Sequence, residues 1–303
     1  MSTKTLPWEV KQKCTDCGIE YTAVHYDMLG VREVDSSHGR CKKHQEEFAL
    51  KAFQEEEAIR LSEVARVRKE WRDKSGIPLK FMTQEFATFD KKVGGNIAKI
   101  LKVCVDYAEG YPITYREHIL STKQSYRSLV LFSTLDMVGI GKTHLVCSIG
   151  HRILNRWNGE GLSILEVSQT DCRPIKWRCS LRNPVQFVSE YELYRNIQGT
   201  YNYTLEEKQH MDSETDIINS LVGRDLLILD DIGKEPRKDM DFVQRILFAI
   251  IDGRYKSLRP IVLTTNKTPE ELNIYLGDAS FDRLYEMTGG VFQKMTGKSY
   301  RRN

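Results

Sequence analysis

A glycine-flanked Lys-Thr pair and two adjacent carboxylates are the residues of this chain best suited to phosphate chemistry. Gly139-Ile140-Gly141-Lys142-Thr143 follows an apolar run, Leu129–Leu135, and precedes a stretch of helical period, His144–Trp157. A strand, a glycine turn and a helix start aim backbone N–H groups and the positive end of the helix dipole at an anion. Gly139 and Gly141 allow close backbone approach, because no Cβ intervenes. Lys142 would reach the β- and γ-phosphates, and the Thr143 hydroxyl would ligate Mg2+. The strict spacing GxxxxGK[ST] puts its first Gly on Asp136. Either the loop is longer and starts near Ser133, or Asp136 takes a positive φ, which Asp tolerates better than most residues.

The second element is Leu226-Leu227-Ile228-Leu229-Asp230-Asp231, an apolar strand ending in two acids. A buried strand delivers such groups at its carboxyl edge, beside the first strand and its phosphate loop. Asp230 would hold Mg2+, largely through water, and Asp231 would orient or deprotonate an attacking water. A third apolar strand, Ile261–Thr265, ends at Asn266, which could hydrogen-bond the γ-phosphate or that water. In this order the three elements point to a nucleoside triphosphatase.

A separate cluster lies near the N-terminus. Cys14-x-x-Cys17 and Cys41-x-x-His44 offer two ligand pairs to one tetrahedral ion, which closes the site and makes it structural rather than catalytic. His38 and His25 compete with His44 for the fourth place. About 45 residues are too few for a sufficient apolar core, so zinc would supply much of the folding free energy there. The odd total of seven Cys, with no secretory signal, favours thiols or metal ligands over a disulfide framework. Cys104 and Cys147 lie on apolar helical faces and are expected in the core, and Cys172 with Cys179 supplies only two ligands.

Three zones must position these groups. Residues 1–45 form the zinc-binding module, 46–75 a charged helical linker, and 76–303 the nucleotide domain. The run 42–74 has neither Gly nor Pro, and Phe48, Ala49, Ala52, Phe53, Ile59, Val64, Val67 and Trp71 roughly follow a helical period. Beyond it, strands at 129–135, 185–189, 226–229 and 261–265 alternate with helices at 94–109, 144–157, 191–201, 243–255, 269–275 and 281–287. That alternation predicts an α/β fold with a mainly parallel sheet flanked by helices. Residues 158–183 read as an inserted hairpin or loop. Tyr191, Tyr194, Arg195, Tyr201 and Tyr203 mix aromatic and basic groups, a pattern equally suited to stacking on single-stranded bases and to helix packing. Lys294, Lys298, Arg301 and Arg302 make the C-terminus basic. The net charge of +3, from 45 basic and 42 acidic residues, excludes general nucleic-acid coating and leaves only a local patch. No apolar stretch reaches the length of a membrane span, so a cytoplasmic protein is expected.

The phosphate and acidic elements, with LLILDDIGKE at 226–235, LTTNKTPEEL at 263–272, FDRLYE at 281–286 and GKSYR at 297–301, resemble the DnaC/IstB branch of the AAA+ ATPases over about residues 76–303. The resemblance implies a P-loop core that assembles into a ring or spiral on DNA, with ATP bound between neighbours. By the match, Gly139, Gly141, Lys142 and Thr143 form Walker A, Asp230 and Asp231 Walker B, and Asn266 sensor 1. Arg283 matches an arginine finger acting on the next subunit's site, and Arg301 a second arginine facing nucleotide. A C-terminal helical lid is expected to be absent. The implied function is loading of a replicative hexameric helicase onto single-stranded DNA by an ATP-dependent homo-oligomer. An IstB-type transposition helper on duplex DNA is the alternative, and a nucleotide-binding adaptor without turnover a third reading. A zinc-like module favours the loader, since helpers of this type usually begin with a helical one.

Overall fold

The computed structural model describes residues 7–28, 32–35, 37–90, 94–168, 174–204, 206–234 and 239–300. They fall into two units, 1–63 with 163–178, and 64–162 with 179–303. In the first unit, β1 (Trp8–Lys13), β2 (Glu20–Met28) and β3 (Arg32–Asp35) pair in antiparallel order. These strands have no strong apolar alternation, which hides them from sequence periodicity. Asp35 ties the turn that follows: its carboxylate accepts from the backbone N–H of Ser37 and of Gly39, both at 2.8 Å. Helix α1 (Lys42–Asp73) realises the expected uninterrupted run. Its apolar stripe is buried only from Val64 onward, with Val67 and Trp71, whereas Phe48 and Phe53 are exposed.

The second unit is built from strands with apolar groups on both faces. Helices α2 (Ile97–Gly110) and α3 (Tyr115–Thr122) precede β4 (Leu129–Phe132), which leads to α4 (Lys142–Arg156). The strands β5 (Leu162–Val167) and β6 (Pro174–Cys179) form the inserted hairpin, and belong to the first unit. Then come β7 (Val185–Ser189), α5 (Glu190–Thr200), α6 (Glu214–Gly223), β8 (Leu226–Ile232), α7 (Met240–Lys256) and β9 (Ile261–Thr265). The chain continues through α8 (Pro269–Leu276) and α9 (Asp278–Met287) to the short β10 (Gln293–Lys294). Sequence periodicity did not separate α3 and α6.

Leu226 and Ile228 enter one core and Leu227 and Leu229 the other, so β8 is covered on both faces. Strands of this kind form a parallel sheet between two helical layers. The order is β10-β4-β9-β8-β7, and every neighbouring pair is parallel. β9 therefore lies between the strand that leads into the glycine turn and the strand that carries the two acids. Sequence analysis set those two side by side; the fold inserts the Asn266 strand between them. Among the described residues no helix is long and apolar enough to cross a membrane.

Candidate nucleotide site

Residues 133–141 join β4 to α4. Ser133 continues the sheet, with its N–H donating to Thr265 O at 3.2 Å. Leu135–Met137 make one 3-10 turn, and Asp136 is exposed with no positive φ. The loop is therefore the longer form, and an Asp in a special backbone angle is not what closes it. The exposed carboxylate does not line the cavity, so it adds no repulsion at close range to bound phosphate. Gly139 and Gly141 have φ of 78° and 94°. A Cβ at Gly141 would stand 2.7 Å from Phe89 Cε2 and 3.0 Å from Tyr300 Cε2, so only glycine fits without displacing both rings. Gly141 caps α4, whose first-turn N–H groups open toward the same place.

Lys142 is buried, and its Nζ donates to Ser133 Oγ and to Asn266 Oδ1, both at 2.6 Å. The candidates that follow β9 and open α4 thus meet directly. The Thr143 hydroxyl donates to Asp230 at 3.0 Å, and the Thr264 hydroxyl donates to the same carboxylate at 2.6 Å. Asp230 is 4% exposed. Burial, and after it the neighbouring charge of Asp231, push its pKa up from 3.8 to about 6, against the two threonine hydroxyls and Lys142. Asp231 departs from strand geometry, with φ of 61°, its N–H on Thr264 Oγ1 at 2.9 Å and Oδ2 3.1 Å from Lys234 Nζ.

The cavity holds about 380 Å3 and is lined by Gly139, Gly141, Lys142, Thr143, Asp231 and Asn266, with Lys80, Gln84 and Asp90 on the far wall. That far wall was not foreseen from sequence. It is held by α4: His144 Nε2 lies 3.0 Å from Glu85 O, and His151 Nε2 lies 2.9 Å from Phe81 O. Burial lowers both histidine pKa values, so each ring is neutral and carries one N–H for such a bond. The C-terminal segment also contributes. Tyr300 N–H donates to Gly139 O at 3.0 Å, its hydroxyl bonds to Asp90 O, and its ring packs edge-on against Phe89. Glycine cradle, ammonium, hydroxyl and buried carboxylate together suit a nucleotide phosphate chain with a divalent cation. Lys142, Thr143 and Asp230 are the residues that would hold them.

Other candidates fall elsewhere. Arg283, on α9, is not among the cavity-lining residues. Its Nε is 3.0 Å from Asp252 Oδ1, Nη1 donates to Ala279 O at 2.7 Å, and the guanidinium faces Phe248. Arg301, Arg302 and Cys172 lie outside the described residues. Cys104 and Cys147 are fully buried, as expected. Of the tyrosine group, Tyr194 is buried in the core and unavailable for stacking, while Tyr191 and Tyr201 are exposed and Arg195 faces the Tyr191 ring.

In the first unit, ligand atoms of Cys14, Cys17, Cys41 and His44 all lie within 4.8 Å of one another. His44 Nδ1 is 3.4 Å from Cys14 Sγ and 3.3 Å from Cys41 Sγ, and the Cys17 and Cys41 sulfurs are 3.9 Å apart. Tetrahedral zinc, with bonds of about 2.3 Å to sulfur and about 2.0 Å to nitrogen, spaces its ligands by about 3.5–3.8 Å, so the donor set fits. Neither His38 nor His25 belongs to the group. Burial opposes the Cys14 thiolate, but backbone N–H groups around it prevail and bring its pKa down to about 6. Such a thiol is ready to ligate at neutral pH.

The family model described as IstB-like ATP binding protein matches residues 191–303. The replicative helicase loader DnaC of Escherichia coli (strain K12) is 29% identical over 146 residues, 48% of this chain and 46% of that protein. YdaV of the same strain, itself uncharacterised, is 26% identical over 165 residues, 54% of this chain and 52% of YdaV. These matches span about half the length of the curated relatives. A crystal structure of the DnaC helicase loader superposes with a TM-score of 0.50 at 16% identity, over 72% of this chain and 100% of that one, a likeness of fold. Sheet order and phosphate loop accord with these similarities: the chain resembles DnaC/IstB-like AAA+ proteins in fold and in the sequence of its C-terminal part, and its N-terminal Cys/His cluster fits a zinc module.

Proposed function

We propose that this protein binds and hydrolyses ATP with Mg2+ and uses the cycle to load a replicative hexameric helicase onto single-stranded DNA. The observation that carries the ATP reading is the meeting of Lys142, Ser133 and Asn266 in one hydrogen-bonded group beside Thr143 and Asp230. In this reading Lys142 neutralises phosphate charge, and Thr143 with Asp230 holds the cation. Asp231 orients the attacking water, and Asn266 leaves Lys142 to contact the γ-phosphate. Mg2+ would supply charge neutralisation between the phosphate oxygens. Arg283 completes the site of a neighbouring copy once it leaves Asp252, so turnover depends on a homo-oligomer. Arg301 is a further nucleotide contact in this scheme.

The loader reading is supported by similarity to DnaC and by the N-terminal cluster, which we assign as a structural zinc site in a module, residues 1–45, that grips the helicase. Residues 46–75 act as linker, and 76–303 as the AAA+ part, in a cytoplasmic protein. Tyr191, Tyr201 and Arg195 provide an exposed stacking surface for single-stranded DNA. The IstB-like family match favours a second reading, a transposition helper on duplex DNA. One experiment separates them. The full chain, with ATP, is offered the replicative helicase, single-stranded DNA and duplex. A loader captures the helicase, loses it after zinc is chelated, and prefers the single strand. ATP-dependent coating of duplex with no helicase capture would replace the loader by the transposition helper.

A further inference from the structure

Beneath the turn that follows the two acids lies a carboxylate that belongs to none of the sequence motifs. Glu190 opens α5 and is 2% exposed. Its Oε2 accepts from the backbone N–H groups of Gly233 and Lys234, at 3.1 and 3.2 Å, and its Oε1 accepts from the Tyr275 hydroxyl at 2.5 Å. Tyr275 is buried on α8, with Lys267 Nζ 5.3 Å from the centre of its ring. Lys267 follows Asn266 directly, and its side chain lies so close to Gly233 that a Cβ there would stand 2.4 Å from Lys267 Cε. On the cavity side of the same turn, Lys234 Nζ meets Asp231 Oδ2 at 3.1 Å, and both residues line the cavity. Asp231 sits at φ of 61°, a backbone state that a non-glycine residue keeps only when its surroundings hold it there.

We infer that Glu190 is a positioning residue: it clamps the Gly233–Lys234 turn from below, so that Asp231 and Lys234 face the phosphate cavity as a pair, and it ties that turn through Tyr275 and Lys267 to Asn266. The two sides of the cavity are thereby joined by one buried acid. An acid at the first position of a helix also favours the helix dipole. That local role alone would not require bonds to a turn 43 and 44 residues away. The catalytic consequence rests on the ATP-hydrolysis reading above; the clamp itself does not.

The test is Glu190→Ala in the full chain, because a glutamine could keep its oxygen on the two amides and donate from its nitrogen to the Tyr275 hydroxyl, which accepts as well as donates. Amide exchange at Gly233 and Lys234 should accelerate about tenfold, the factor carried by one hydrogen bond to a charged group. The amides of residues 139–143 should keep their wild-type rates. In turnover, kcat should fall about tenfold, with KM for ATP within about threefold of wild type, because the lost group acts on the transition state and not on binding. Tyr275→Phe removes the hydroxyl that orients the carboxylate and so loosens its bonds to the turn, and exchange at Gly233 and Lys234 should accelerate about threefold, with the same split in turnover at about threefold. It stands in if Glu190→Ala does not fold. Unchanged exchange at Gly233 and Lys234 in the folded variants overturns the clamp. Faster exchange with unchanged kcat overturns the positioning role. A wild type without any turnover sinks the proposed hydrolysis instead, and exchange still decides for or against the clamp.

Discussion

Asp230→Asn should make the protein more stable at pH 8, although it removes a residue of the nucleotide site. The reason is desolvation. Burial, and then the Asp231 charge, raise the Asp230 pKa from 3.8 to about 6, despite hydrogen bonds from Thr264 and Thr143. At about 1.36 kcal/mol per pH unit, holding this carboxylate ionised costs the folded state about 3 kcal/mol. The sign follows from the direction of the shift. The fold favours the protonated acid, so this contribution is fully present below pH 3.8 and is lost as pH rises through about 6. Asn is neutral at every pH and nearly the same shape. Its Oδ1 can accept from one threonine hydroxyl while the other rotates to accept from Nδ2. The gain at pH 8 should therefore approach about 3 kcal/mol, or about 6–12 °C in Tm, and shrink to about 1 kcal/mol near pH 4.5. Urea and thermal unfolding of both proteins in EDTA, at pH 8 and pH 4.5, read this directly. With EDTA replaced by Mg2+ and ADP, the order should reverse, because only the wild type offers the cation the Asp230 carboxylate. An equal gain at both pH values, or none at pH 8, would refute the desolvation argument.

Other expectations follow from single contacts. Elemental analysis of protein purified without added metal should find about one zinc per chain, and the double variant Cys14→Ser, Cys41→Ser should lose it; unchanged metal content would remove the assignment. Gly141→Ala places a Cβ 2.7 Å from Phe89 in a backbone with φ of 94°, and should cost about 1–3 kcal/mol of stability and at least about tenfold in nucleotide affinity; wild-type titration curves would show that the cradle yields. Lys142→Ala should abolish nucleotide binding, and Arg283→Ala should bind ATP but not hydrolyse it. Mixed, the two variants should recover part of the activity, and absence of recovery at every ratio would argue against a site shared between copies.

Sequence alone was enough for the parts of this site whose chemistry is local. Gly141, Lys142 and Thr143 are neighbours in the chain, and a glycine turn into a helix has one natural use for an ammonium and a hydroxyl. The apolar runs ending in Asp230 and Asn266 likewise declared buried strands with polar groups at their carboxyl edges, because burial on both faces leaves that pattern in the residues themselves. The four ligands of the N-terminal cluster were legible as two pairs, but spacing left His44, His38 and His25 in competition. The first turn of α1 decided it by bringing His44 Nδ1 to 3.3 Å from Cys41 Sγ. Strand order was also beyond reach. Placing β9 between β4 and β8 depends on long-range pairing, and that order sets Asn266 against Lys142 at 2.6 Å. The exposed turn at Asp136, the left-handed backbone of Asp231 and the wall carried by His144 and His151 have the same origin. Glu190 marks the limit most plainly. As an acid at the start of a helix it is ordinary, and only packing places it under a turn more than 40 residues away, where two backbone amides and one hydroxyl converge on it.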